Sequence, residues 1–275
     1  MTPAALRTFL RRSEEMSISG TEGHWALMPP ELAKKIRPRV AQIADACVTL
    51  LETSDSLRMN RVIGLGHRGE ATKETIDEII AFFRAARLRR FSILLCPGPQ
   101  FETIAGWLGA RGLRPGPGHS LLARDARLPI PRAETSLRIA RARREDGPAM
   151  VGILERCFAI PASRRSWTLA SASAPRYEHF LAFHGNKAVG VGSLRVEGGL
   201  GWLGGAATLT RWRRKGAQRA LISARLRSAA RAEAQWIWVE TAVQEPGRPG
   251  GSRRNLLAMG FEEVCVKPSW TWARG

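Results

Sequence analysis

The stretch Ala207–Arg219, ATLTRWRRKGAQR, holds the residue types best suited to chemistry. It gathers Arg211, Arg213, Arg214, Lys215 and Arg219 around Gly216, and no acid occurs between Glu197 and Glu233. Such a segment, set where a strand feeds a helix, suits a phosphate group. The first N–H groups of a helix lack intrahelical partners and carry a partial positive charge. Gly216 has no Cβ, so backbone there can approach an anion closely. The segment is neither a GxxxxGK[ST] phosphate loop nor a GxGxxG dinucleotide fingerprint.

A strand must deliver this loop and a helix must receive it. The pattern predicts three strands, Phe180–His184, Ala188–Val196 and Leu200–Leu209, with turns at Gly185-Asn186 and Gly198-Gly199. A helix follows over 217–234, then a buried strand from Trp236 to Val239, a helix from Ser252 to Gly260 and a strand over Val264–Trp272. Ahead of these lie a strand over Leu137–Ala142, a helix started by Pro148, and a polar stretch over 162–174. In the first half the apolar spacing predicts a helix over 31–54, from Leu32 to Leu51. It also predicts strands at Arg61–Gly66, Phe91–Cys96 and Ser120–Ala123, with helices after Thr72 and over Phe101–Gly112. The Pro-containing stretch 125–136 reads as a linker, which sets a boundary near 130 and domains of 1–130 and 131–275. The two halves share an order of elements. A near-constant offset separates Phe91 from Trp236 and Gly112 from Gly260, which points to a duplicated α/β architecture.

Composition narrows the classes. The chain has 275 residues, 44% of them apolar, enough for sizeable cores. Its 43 Lys and Arg outweigh 24 Asp and Glu, for a net charge of +19 that must be solvated, screened or matched by an anionic ligand. No apolar run is long enough to span a membrane, and Met1–Arg12 shows no signal-type cleavage pattern. Cys47, Cys96, Cys157 and Cys265 are widely spaced, with no CxxC pair and no metal-ligand cluster, so the expectation is no metal and free thiols in a cytoplasmic protein. His24, His67, His119, His179 and His184 are scattered without a triad-like partner at readable spacing. Trp236 and Trp238 share one side of their strand and read as core. Arg219, Ser223, Arg227 and Arg231 form a polar stripe read as a solvated helix face.

RWRRKGAQRALI resembles motif A of the GNAT (GCN5-related N-acetyltransferase) superfamily, Arg/Gln-x-x-Gly-x-Gly/Ala. Arg213, Gly216 and Gln218 fall on the marked positions, with Gln218 replacing the usual small residue. The three-strand meander before it, the buried WIWVETA strand and the SRRNLLAMGF segment after it resemble the rest of that fold over about residues 137–272. The resemblance implies an α/β (α+β) fold of two GNAT-like halves, each a mixed, mostly antiparallel sheet flanked by helices. It implies acetyl-CoA bound where strands 200–209 and 236–242 splay apart. Backbone of Thr208 and Leu209 would pair with the pantetheine, and the stretch from Thr210 through Arg213, Arg214, Lys215, Gly216, Ala217, Gln218 and Arg219 would hold the phosphates. A backbone N–H near Leu209 would stabilise the oxyanion during direct amine attack. Trp212 would shield the phosphates or meet the adenine.

The departures shape the catalytic expectation. The usual general-acid Tyr position is Leu256, and the chain's one tyrosine is Tyr177. Asn255, beside the vacant position, could bond the cofactor, and Glu240 is the best-placed base. The loop Gly64–Thr72 in the first half contains Glu70 and no RxxGxG/A within it, so that half is expected to be a degenerate repeat without acetyl-CoA. The leading reading is an N-acetyltransferase acting on a small-molecule or peptide amine. The alternatives are a catalytically silent CoA-binding module and a basic nucleic-acid or ribosome-associated protein. The last lacks any RNP, KH or helix-turn-helix pattern.

Overall fold

The structure, a computed structural model, describes residues 1–243 and 250–274. The chain divides into two compact units, Met1–Ser120 with Cys265–Gly275, and Leu121–Val264. Each is mixed α/β with a mostly antiparallel sheet.

The first unit opens with α1 (Pro3–Ala26), capped by Thr2, whose hydroxyl accepts the Ala5 N–H. Pro3 suits the first turn because its missing N–H is unpaired there in any case. After α2 (Pro30–Ile36) the chain turns through Arg37 at φ 46° into β1 (Pro38–Ile43) and β2 (Ala46–Leu51). The helix expected over 31–54 is therefore wrong beyond Ile36. Pro38 cannot continue a helix, and Ala44 at φ 49° reverses the chain between two antiparallel strands. The β-branched and apolar residues after it pack better on a pleated surface. The strands β3 (Arg61–Ile63) and β4 (Arg90–Leu94) flank α3 (Lys73–Ala85), where Thr72 and Thr75 form a reciprocal cap. Then come α4 (Phe101–Ala110) and the start of β5 (Arg114–Asp125).

The last strand, β11 (Glu262–Ala273), supplies its Cys265–Ala273 portion to this first unit, pairing antiparallel with β4. The strand order is β1-β2-β3-β4-β11-β5. Trp272 packs on Phe91, which stacks on Phe83 at 4.1 Å. The division thus falls earlier than residue 130, inside β5, and the C-terminal strand returns to the first unit, because its aromatic face is buried there.

The second unit contains β6 (Arg138–Arg141), α5 (Gly147–Phe158), α6 (Arg165–Ala172), β7 (Glu178–His184), β8 (Lys187–Glu197) and β9 (Leu200–Thr208). These are followed by α7 (Ala217–Arg231), β10 (Trp236–Ala242) and α8 (Gly251–Ala258). Its strand order is β5-β10-β9-β8-β7-β6. Its main core joins Phe180, Leu194, Leu203, Leu221, Leu226 and Phe261 on the α7 side of the sheet, and a second cluster joins Met150, Ile153, Leu181 and Val191 on the α5 side. The solvated stripe expected on α7 fails at Ser223, which is buried, while Arg225 turns inward as well. The apolar face is wide enough to enclose both.

A buried ion pair ties α1 to β11 in the first unit. Lys267 Nζ donates to Glu14 Oε1, with side chains 1% and 3% exposed. Removing one partner leaves an uncompensated buried charge. Glu14→Ala should lose about 3–5 kcal/mol of unfolding free energy in urea titration, and the double variant Glu14→Leu/Lys267→Met should recover most of it.

Candidate functional site

The basic loop adopts the geometry its composition suggests. A 3₁₀ turn over Thr210–Trp212 follows β9, Arg213 is extended, and Arg214 and Gly216 take left-handed φ values of 63° and 74°. Left-handed residues alternating with ordinary ones turn successive N–H groups into an anion-binding nest. The first bond of α7 is Ala220 N–H to the Gly216 carbonyl, and no side chain caps the helix. The N–H groups of Ala217, Gln218 and Arg219 therefore have no intrahelical acceptor. Arg211, Arg213, Arg214, Lys215 and Arg219 are exposed, and among the described residues no carboxylate pairs with them. Gly216 is needed for space as well as for φ: a Cβ there would lie 1.9 Å from the Glu134 carbonyl. Thr135 Oγ1 donates to the Lys215 carbonyl at 2.7 Å, so the linker residues hold the loop in place. Arg213 Nε donates to the Thr208 carbonyl at 3.2 Å. Trp212 is half-buried, its ring tilted against His184 at 4.2 Å with Lys215 Nζ 4.5 Å from its ring.

Below this loop two parallel strands part. The strands β9 and β10 pair through Leu200–Trp236, Gly201–Ile237 and Trp202–Trp238, and no further among the described residues. The side of β9 that faces away from β8 is open from Leu203 onward. At the same place β9 gains a residue against β8. Val191 opposes Ala207 and Ser193 opposes Gly204, so Gly205 and Ala206 form a bulge, with Gly205 at φ 54°. A bulge leaves its extra residue outside the ladder and re-aims local backbone groups. The Leu209 N–H itself donates to the Val189 carbonyl at 3.0 Å.

A polar pair sits against the bulge. His179 on β7 and Ser193 on β8 are register partners, with Nδ1 and Oγ 2.8 Å apart. A Cβ on Gly205 would come within 2.8 Å of Ser193 Oγ, so the missing side chain leaves the hydroxyl open on that side. The Ser193 carbonyl is held from the opposite face by Arg225 Nη1 at 3.2 Å, in space that Gly192 leaves free. Burial lowers the Arg225 pKa to about 10, which still leaves it charged at neutral pH. Tyr177, Trp202 and Trp238 line the same face as His179, with Tyr177 and Trp202 rings 6.1 Å apart. Sequence spacing carries no signal for the His179–Ser193 pair, because only strand register brings the two together.

Residues 147–248 match the Acetyltransferase (GNAT) family. The GNAT likeness is thus shown for residues 147–248, within the second unit. The GCN5-related N-acetyltransferase from Kribbella flavida superposes with a TM-score of 0.62 at 16% identity, over 95% of this chain and 93% of that one. A GCN5-related N-acetyltransferase from Sphaerobacter thermophilus gives 0.61 at 14% identity, over 83% and 79%. A tandem GNAT protein from the clavulanic acid biosynthesis pathway gives 0.58 at 17% identity, over 84% and 79%. At these identities the likeness is one of fold. None of the curated proteins matches the chain by sequence.

Within the matched stretch, Glu240 lies on β10 two residues past Trp238, on the same strand face and beyond the last pairing with β9. Asn255 is engaged by α7: its Nδ2 donates to Gln218 Oε1 at 2.8 Å, and its Oδ1 accepts from Arg219 Nε at 3.0 Å. Gln218, the departure from the motif, thus ties α7 to α8, also donating to Ser252 Oγ at 3.0 Å. Leu256 is buried in the core, so the position that holds Tyr in many GNAT enzymes serves packing here. Residues 160–176 include α6, and residues 244–249, between β10 and α8, lie outside the described residues.

The two left-handed loop residues make opposite stability predictions. Gly216→Ala meets both the φ penalty and the Glu134 carbonyl and should cost about 2 kcal/mol or more. Arg214→Gly relieves a left-handed φ and should leave the urea midpoint unchanged or slightly raised.

Proposed function

We propose that this chain is an acetyl-CoA-dependent N-acetyltransferase whose working site lies in the second unit. The observation that carries the reading is the parting of β9 from β10 below a loop whose cations have no carboxylate partner among the described residues and whose helix N–H groups have no intrahelical acceptor. The donor set fits coenzyme A. The amides of Arg214 through Arg219 suit the diphosphate, and the side chains of Arg213, Arg214, Lys215 and Arg219 suit the diphosphate or the 3′-phosphate. The open side of β9 offers backbone groups near Thr208 to an extended pantetheine, as an added strand would take them. Acetyl-CoA supplies the activated acetyl thioester. The chain's part is to hold that group beside the Gly205–Ala206 bulge, whose backbone replaces Leu209 as the oxyanion donor, and to receive a small-molecule or peptide amine on the face of Trp202 and Glu240. Asn255 acts on the cofactor only through Gln218 and Arg219, which it positions.

The first unit reads as a degenerate repeat that binds no acetyl-CoA. Arg61–Gly66 does spell RxxGxG, but Arg61–Ile63 is strand β3, so the pattern is displaced from the loop. In that loop Asp45 plays the anion. Its two carboxylate oxygens accept the N–H groups of Gly66 and Arg68, both at 2.8 Å, and the side chain is fully buried. With the Gly66 and Arg68 N–H groups already given to a carboxylate, this loop is poorly suited to a diphosphate, and Thr72 caps the following helix.

Calorimetry should give one acetyl-CoA per chain, weakened about tenfold or more in Lys215→Glu, whose side chain is exposed. Thiol release should then appear with at least one member of a panel of primary amines. Two equivalents per chain would overturn the degenerate reading. Binding without thiol release on any amine would favour a silent CoA-binding module.

A further inference from the structure

We propose that Ser193 and His179 form the proton-accepting pair of the acetyl transfer, with Ser193 Oγ facing the reacting amine and His179 taking the proton behind it. This rests on the acetyltransferase reading above and adds to it the acid–base group that neither the vacant Leu256 position nor Asn255 supplies.

Three features place the pair. Register puts His179 directly opposite Ser193, and the hydrogen bond at 2.8 Å is the length for a Ser O–H donating to a neutral imidazole. Gly205 lacks the Cβ that would cover Ser193 Oγ, so the hydroxyl abuts the bulge assigned to the thioester carbonyl. Arg225 fixes the Ser193 backbone from the other face of the sheet. Nucleophile-side group, base and an anchoring third group within hydrogen-bond reach are the arrangement that general base catalysis needs.

The surroundings keep the imidazole able to accept. Burial pushes His179 below the ordinary histidine range, against a smaller opposing pull from the Ala172 backbone of α6. The Tyr177 ring lies 6.2 Å away. Arg195, two residues along β8 on the same face, pairs with Glu197. Glu178 on β7 points to the other face, where it meets Ser228 at 2.8 Å and Arg141 of β6 at 3.5 Å, and Arg225 lies on that face too.

The step balances. The amine nitrogen attacks the thioester carbon and the N–C bond forms. The C–S bond breaks with its electron pair on the coenzyme A sulfur. The amine proton passes to Ser193 Oγ as the serine proton moves to His179 Nδ1. The imidazolium then returns a proton to the thiolate, directly or through water, and coenzyme A leaves as the thiol.

The test uses the full chain with ring-labelled histidine, the His179 resonance being assigned by its loss in His179→Gln. Acetyl-CoA should shift that resonance and 3′-phosphoadenosine diphosphate, the nucleotide half alone, should not. An unmoved resonance in a chain that calorimetry shows to bind acetyl-CoA overturns the pair, as does an equal shift with both ligands. Absence of acetyl-CoA binding removes the acetyltransferase reading itself, and this proposal with it. On the amine giving fastest thiol release, His179→Gln and Ser193→Ala should each lower kcat by about a hundredfold with KM for acetyl-CoA within about twofold of wild type. Wild-type kcat should fall on the acid side, below the ordinary histidine pKa of about 6.5, because protonated His179 cannot accept. That limb should vanish in His179→Gln. Unchanged kcat in both variants, or an acid limb that persists in His179→Gln, would falsify the assignment.

Discussion

The separation of β9 from β10 is the constraint on which the rest of the second unit depends. Two parallel strands hold together for three residue pairs and then diverge at Trp202 and Trp238. The cause is local. An extra residue enters β9 at Gly205–Ala206, and the Trp202 ring lies over Gly204, where any Cβ would collide with it. A bulge increases twist and bends its strand, so the neighbour cannot follow. The cost is a stretch of open strand edge, which proteins normally cover or blunt. Here it lies near the loop that opens α7, so the strand edge and cations without a carboxylate partner among the described residues occur together.

Electrostatics distinguishes the two glycine-containing loops. In the first unit the loop amides of Gly66 and Arg68 are satisfied by a buried carboxylate from the β1–β2 turn, and the following helix is capped by a threonine. In the second unit the equivalent amides have no side-chain cap, and the surrounding cations have no acid within the segment from Gly198 to Ala232. One loop carries its own anion, and the other has none of its own among the described residues. The +19 charge therefore has a local meaning at Arg211–Arg219, beyond its general effect on solvation.

Buried polar groups do the positioning on both faces of the sheet. Arg225 crosses the plane of Gly192 to hold the Ser193 carbonyl, and Arg124 bonds the carbonyls of Met259, Leu128 and Pro129. Each guanidinium is buried among backbone oxygens, which satisfies its donors without a carboxylate partner and rigidifies the segments it joins. Gln218 and Asn255 make the same kind of link between α7 and α8. The helix whose N-terminus is proposed to hold the cofactor phosphates is thus fixed at its start by side-chain amides and along its length by packing.

The sequence by itself determined the order of most elements, the cation-rich glycine loop and the GNAT likeness over 147–248. Those rest on local properties: turn glycines, period-two and helical spacing, and a run of cations at a helix start. It misread 31–54, where spacing suited a helix but Pro38 and a left-handed Ala44 favoured a hairpin. It gave no sign of α1, whose buried face mixes Phe9, Leu10 and Trp25 with Ser13 and Glu14, the latter made tolerable only by Lys267 from the far end of the chain. What the tertiary structure alone decided is which distant residues meet. The His179–Ser193 pair, the spent Leu209 N–H, the bulge at Gly205 and the Asp45 carboxylate in the first loop all follow from strand register. Register is set by how whole faces pack, and no window of sequence contains it.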